Sequence, residues 1–222
     1  FGYSYRARVI AYNKDKIRPA EVDSYMSLAS PMLRGKLCVR SGGHVYNRTL
    51  MAAMIHNAGE DKADAWARGI VANLARDPKG GDTDQIRAVA AGECDVAITN
   101  HYYYARLMAS GKPEDQEAVK KVAIVFPDQK AAGTHVNISG GGMLKHAPNK
   151  GSAVKFLEYL AGDEAQAYFA NGNHEWPVVP GVKLDNPHLT AMGKFKVDKL
   201  SAGALARDTP KAQRMIDRAG WK

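Results

Sequence analysis

Three consecutive tyrosines, Tyr102-Tyr103-Tyr104, follow the apolar run Cys94-Asp95-Val96-Ala97-Ile98-Thr99 and the polar pair Asn100-His101. The whole 222-residue chain holds 10 tyrosines, so three in a row invite a chemical reading. Phenolate oxygen is a hard, anionic donor. It suits a hard, highly charged cation such as Fe(III), whereas softer ions prefer sulfur and imidazole. Free tyrosine ionises at about 10, and a nearby trivalent cation favours the ionised form and displaces the proton. Spacing alone also fits a simpler account, three packed rings with their hydroxyls at the surface. A second unusual stretch is Arg40-Ser41-Gly42-Gly43-His44-Val45-Tyr46-Asn47. Arg40, Ser41 and Gly42 could offer N–H and hydroxyl donors to an anion such as carbonate or phosphate, or form an ordinary turn.

Other chemistries find less support. The histidines are scattered, with no i, i+4 pair on a helix face, and Cys38 and Cys94 lack the close CxxC partners of a zinc site. No nucleophile elbow, P-loop or GxGxxG after a strand occurs, so catalysis is not expected. Two cysteines are compatible with one disulfide in an oxidising compartment or with two buried thiols. The disulfide is the expectation, and by closing a long loop it contributes roughly 2–4 kcal/mol.

The elements that would position these residues alternate between strand and helix. Strand-like runs are Arg8-Val9-Ile10-Ala11-Tyr12, residues 36–39, 94–99, 121–126 and 134–139. Helical periodicity predicts helices over residues 19–30, from 47 to 58 and over 60–75. Asp82 reads as an N-cap with Gln85 in capping-box register, opening a helix that Gly92 ends. Further helices are expected over 148–161, 163–170 and 209–219. This alternation implies an α/β fold, whose ligands meet the C-terminal ends of strands. Both unusual stretches stand at such ends.

Apolar residues make up 45% of the chain, enough for a real core, and the formal charge is +8. The basic residues are scattered and no RNP aromatic set or Arg-rich arm is present, so no nucleic-acid partner is expected. No apolar run approaches the roughly 18 residues of a membrane-spanning helix.

The order of motifs along the chain is specific. Arg6-Ala7-Arg8-Val9, Gly35-Lys36-Leu37-Cys38-Val39-Arg40-Ser41 and Gly80-Gly81-Asp82 precede Gly92-Glu93-Cys94-Asp95-Val96-Ala97-Ile98-Thr99-Asn100 and the Tyr102-Tyr103 pair. Gly133-Thr134-His135-Val136-Asn137, Glu175-Trp176-Pro177-Val178 and Ala219-Gly220-Trp221 follow. In these motifs the chain resembles the periplasmic ferric-iron-binding proteins of bacterial iron ABC transporters, which are transferrin-like, two-lobed binders. The resemblance implies a periplasmic-binding-protein type II-like fold, with one complete three-layer lobe and part of the other. It implies Fe(III) ligation by Tyr46, Tyr102 and Tyr103, with Tyr104 left to packing. Arg6, with Arg8 as fallback, would lie behind the ligands, and Asn100 matches the Asn that precedes the tyrosine pair. Apart from the resemblance, Asn100 and His101 are candidates to hydrogen-bond behind the ligands or to an anion.

The resemblance further implies a periplasmic monomer that delivers iron to an inner-membrane ABC permease. It also implies an upstream first-lobe segment absent from this sequence, since Phe1-Gly2-Tyr3-Ser4-Tyr5 already reads as a strand. Residues 1–10 would be hinge strand and first-lobe remnant, 11–134 the second lobe, and 135–222 the hinge return and elements packing with the first lobe. Two alternatives stay open: a receptor of the same fold for a small organic acid or inorganic anion, and a structural or interaction domain without metal.

Overall fold

A computed structural model describes residues 1–222 and divides them into two compact units. One comprises Phe1–Arg6 and Val136–Lys194; the other comprises Ala7–His135 and Phe195–Lys222.

The larger unit is built around the second half of β1 (Gly2–Asn13). Three strands complete its sheet: β2 (Leu37–Cys38), β3 (Val96–Asn100) and β4 (Val122–Val125), in the order β2-β3-β1-β4. β2 runs parallel to β3, while β3 and β4 flank β1 antiparallel, with Arg8 opposite Asn100 and Ile10 opposite both Ile98 and Val125. Side chains alternate across the pleat. Ile10, Tyr12, Val96 and Ile98 enter one apolar core, with Leu28, Leu50, Met51, Trp66, Ile70, Ile216 and Trp221. Ala11, Ala97 and Cys38 enter the other, with Ile86, Val89, Leu107 and Val122.

Helices cover both faces. α1 (Val45–Ala58) and α2 (Glu60–Ala72) lie over the first core, and α3 (Asp82–Ala91), α4 (His101–Ala109) and α5 (Pro113–Lys121) lie over the second. This is the three-layer α/β arrangement expected of the complete lobe. The Cys38–Cys94 disulfide is formed, with Cα atoms 5.8 Å apart across a separation of 56 residues. It ties β2 to the segment leading into β3.

The smaller unit pairs the start of β1 with β5 (Val136–Gly140) and β6 (Trp176–Pro177), and carries α6 (Lys150–Ala161), α7 (Asp163–Asn173) and α8 (Pro187–Ala191). The buried Glu175 carboxylate gathers the Ser4, Ser139 and Asn173 side chains. α6 buries none of its residues.

Three expectations need correction. Residues 19–30 do not form one helix; short 3-10 turns at Pro19–Glu21 and Met26–Ala29 take its place, followed by a third at Pro31–Leu33. Serine hydroxyls compete for the backbone there: Ser27 donates to the Ser24 carbonyl at 2.6 Å, and Ser30 caps Met32. Asp82 is not an N-cap. Gly81 occupies that position, the Asp84 carboxylate accepts from the Gly81 N–H at 2.6 Å, and Asp82 turns inward. Residues 195–222 do not join the smaller unit, as the expected 135–222 segment required. The terminal helix α9 (Ala202–Ala219) is longer than expected and packs Ala212, Met215 and Ile216 onto α1 and α2. Ion pairs Lys211–Glu60 and Arg218–Asp64 line its edge.

Candidate functional site

Two helix starts carry the tyrosines. β2 leads through Arg40–Gly43 into α1, where Tyr46 sits in the first turn behind the N-cap His44, whose Nδ1 accepts from the Tyr46 N–H at 3.3 Å. β3 ends at Asn100, the N-cap of α4, so Tyr102 and Tyr103 also occupy a first turn. The Tyr46 and Tyr102 hydroxyls meet at 3.3 Å, although 56 residues separate them. The Tyr102 and Tyr103 rings lie 4.1 Å apart, tilted by 31°. Helical rotation carries Tyr104 away; its hydroxyl donates to the Val122 carbonyl at 2.8 Å, the packing role expected.

A buried polar knot braces this cluster. Arg8 is fully buried and donates to Asp82 at 2.5 Å, to Asn47 at 2.8 Å and to Asn100 Oδ1 at 3.3 Å. Asp82, also fully buried, accepts in addition from Arg40 at 3.2 Å and from the Asn100 N–H at 2.7 Å. Asn47 closes the circuit by donating to the Arg40 and Ser41 carbonyls. The guanidiniums of Arg8 and Arg40 stand 5.6 and 5.2 Å from the Tyr46 ring centre, and that of Arg106 stands 4.7 Å from Tyr102. Arg8, the fallback candidate, thus stands beside the Tyr46 ring within the larger unit. Arg6 lies in the smaller unit, 4.0 Å from Glu175.

Charge around the phenols is positive. Arg8, Arg40 and Arg106 outnumber Asp82, and two helix N-termini add their dipoles. Burial nevertheless raises Tyr102 well above the ordinary tyrosine value, helped by hydrogen bonds with Tyr103 and Tyr46. Burial raises Tyr103 as well. Both phenols are neutral at physiological pH. His101 is buried, and its Nδ1 accepts from the Ala7 N–H at 3.1 Å, so that nitrogen braces β1. Ser41 is exposed beside buried Gly42. No group of three His, Cys, Asp or Glu side chains is arranged to hold a metal. The oxygen donors gathered at this site are phenolic.

The sequence reading missed three contributors. Asp82 has the type and position of a cap, which hides its inward role. Arg106 stands four residues after Tyr102, the helical spacing that puts side chains on one face. Asn47 offered no signal beyond its place next to Tyr46.

Known proteins resemble this chain throughout. The model of the bacterial extracellular solute-binding protein family matches residues 1–199. Iron uptake protein A2 of Synechocystis sp. is 50% identical over 224 residues, covering 100% of this chain and 64% of that protein. A Trichodesmium structure in complex with iron and citrate ligands superposes with a TM-score of 0.95 at 49% identity, covering 100% of this chain and 70% of that one. The ferric binding protein from Campylobacter jejuni gives 0.95 at 38% identity, with 100% and 70% covered. The chain spans just under two thirds of the length of Iron uptake protein A2. The chain belongs to the bacterial extracellular solute-binding protein family.

Proposed function

We propose that this chain captures Fe(III) through the phenolates of Tyr46, Tyr102 and Tyr103, in the periplasm, and hands it to an inner-membrane ABC permease. The observation that carries this reading is the meeting of the Tyr46 and Tyr102 hydroxyls at 3.3 Å beside Tyr103. Hard phenolate donors select a hard trivalent ion. Iron-named relatives at 50% and 44% identity support the choice. The role is binding and release, without turnover, by a monomer.

The fixed charges favour an accompanying anion such as carbonate or phosphate. Three phenolates balance Fe(III), and Arg8, Arg40 and Arg106 then exceed Asp82 by two positive charges. Arg40, Ser41, Gly42 and Asn100 are the donors this reading assigns to the anion, and His101 supports the ligands from behind. The same reading assigns remaining ligands to a first-lobe segment outside this sequence. The smaller unit offers such a segment an apolar surface, where Phe156 is 60% and Tyr168 72% exposed.

The test is a visible spectrum. Fe(III) added with citrate or carbonate gives a phenolate-to-iron charge-transfer band. Tyr102→Phe and Tyr46→Phe should each weaken the band and cost more than the 10–100-fold in affinity typical of residues behind the ligands. A colourless protein would favour an organic-acid or anion receptor of the same fold.

A further inference from the structure

The C-terminal turn reaches the loop that leads to Tyr46. Gly220, at φ +77°, ends α9 in the left-handed region that glycine adopts readily, and the Trp221 N–H donates back to the Ile216 carbonyl at 3.1 Å. This turn drives the Trp221 side chain inward to 2% exposure, edge-on to Trp66 at 5.9 Å. From there its indole N–H donates to the Arg40 carbonyl at 3.2 Å. One residue further, the Lys222 carbonyl accepts from the Gly42 N–H at 3.0 Å.

The contact leaves no slack. A Cβ at position 42 would stand 2.5 Å from the Trp221 carbonyl oxygen and 2.6 Å from Ile216. Gly42 is therefore required by the tail's approach. The Arg40 carbonyl takes a second donor, the Asn47 amide at 3.1 Å, and Asn47 also holds Arg8. The tail and the polar knot thus grip the same carbonyl, six residues before Tyr46, on the residue whose guanidinium stands 5.2 Å from the Tyr46 ring centre.

We infer that Trp221 and Lys222 form a latch that positions the Arg40–Gly43 loop and, through it, Tyr46; this inference rests on the iron-binding reading above. Trp221 is a positioning residue that touches no ligand. Its indole N–H fixes where the Arg40 guanidinium and the first turn of α1 stand.

The test uses the full chain. Trp221→Phe keeps an aromatic ring in the slot and deletes the donor; Gly42→Ala pushes the tail away. Trp66→Phe is the control: it deletes an indole N–H that donates to the Tyr25 carbonyl at 2.7 Å, keeps a ring beside Trp221, and leaves the Trp221 donor to Arg40 in place. In chelator competition, Trp221→Phe should weaken Fe(III) binding about two- to tenfold, the worth of one hydrogen bond. Gly42→Ala should weaken it more and shift the charge-transfer band. Trp66→Phe should lower thermal stability and leave affinity and band unchanged. In iron-free protein, hydrogen exchange at the Gly42 and Asn47 amides should accelerate in Trp221→Phe and not in Trp66→Phe. Unchanged affinity and exchange in Trp221→Phe, or equal losses in Trp66→Phe, would overturn the latch. If the unaltered chain takes up no Fe(III), the functional reading fails, and the exchange measurement alone decides the latch.

Discussion

Replacing Asp82 by asparagine removes one negative charge from a place no water reaches. Both Asp82 and Arg8 have 0% side-chain exposure, and their charged atoms stand 2.5 Å apart. The Asp82 carboxylate also answers Arg40 and the Asn100 N–H. Asparagine keeps the shape and one acceptor. It leaves the Arg8 guanidinium buried without its counter-charge, and turns an amide –NH2 toward donors. Breaking a buried pair in this way costs about 3–5 kcal/mol. For a chain of this size each kcal/mol moves the melting point by about 2–4 °C, so Asp82→Asn should melt roughly 6–20 °C lower. Urea unfolding of the iron-free chain, followed by circular dichroism, measures the difference directly. A double replacement tests the buried pair more sharply. Arg8→Met combined with Asp82→Leu should cost clearly less than the sum of the two single replacements, because the double change leaves no unpaired charge. Additive losses, or an Asp82→Asn protein within about 1 kcal/mol of the parent, would refute the knot as the brace of the site.

Other expectations follow from the same structure. Reduction of Cys38–Cys94, or Cys38→Ala with Cys94→Ala, should cost about 2–4 kcal/mol in denaturant titrations. Buried His135 has its pKa lowered from 6.5 to about 3, chiefly by desolvation and then by Arg8. Its folded value lies below its unfolded one, so its share of stability is present above 6.5 and is lost as pH falls toward 3. Melting curves across that window should show the loss, and a flat profile in the parent would contradict it. Asp128 behaves oppositely: desolvation raises it from 3.8 to about 6. Its share is present below 3.8 and lost as pH rises through 6, so Asp128→Asn should stabilise the chain above pH 6. Discounted for its partial exposure, the gain is about 1 kcal/mol, and asparagine suits the left-handed backbone at φ 62°.

Much of the architecture was legible because period and burial agree. Ile10 to Tyr12 and Val96 to Ile98 alternate between two apolar cores, and both runs have the pattern of a strand. The tandem tyrosines were legible as a pair, and the Tyr46 partnership came from resemblance. Spacing could not bring together residues held at two separate helix starts. Where local chemistry competes with tertiary packing, sequence reasoning went astray. Serines at 24, 27 and 30 looked helical and made turns instead. Asp82 looked like a cap because an aspartate before a helix usually is one; only the burial of Arg8 required its charge elsewhere. Arg6 and Arg8 share one face of β1, two residues apart, so the sequence alone offered both. Arg8 pairs with Asn100 across the sheet, and that register is a property of the folded strands.

The placement of positive charge around neutral phenols bears on how iron could enter and leave. Arg8, Arg40, Arg106 and two helix N-termini disfavour a bare cation, yet they favour phenolate once a cation has displaced the protons. Burial opposes ionisation and wins in the iron-free chain, since Tyr102 and Tyr103 are both raised. In the proposed reading, Fe(III) capture is therefore an exchange of protons for metal, assisted by an anion that offsets the arginines. Each phenol that binds iron must release its proton. Because Tyr102 and Tyr103 are neutral across the physiological range, apparent affinity should rise with pH and at least two protons should leave per iron bound. A pH-stat titration reads that number. Iron bound without proton release from these residues would mean that the metal sits elsewhere.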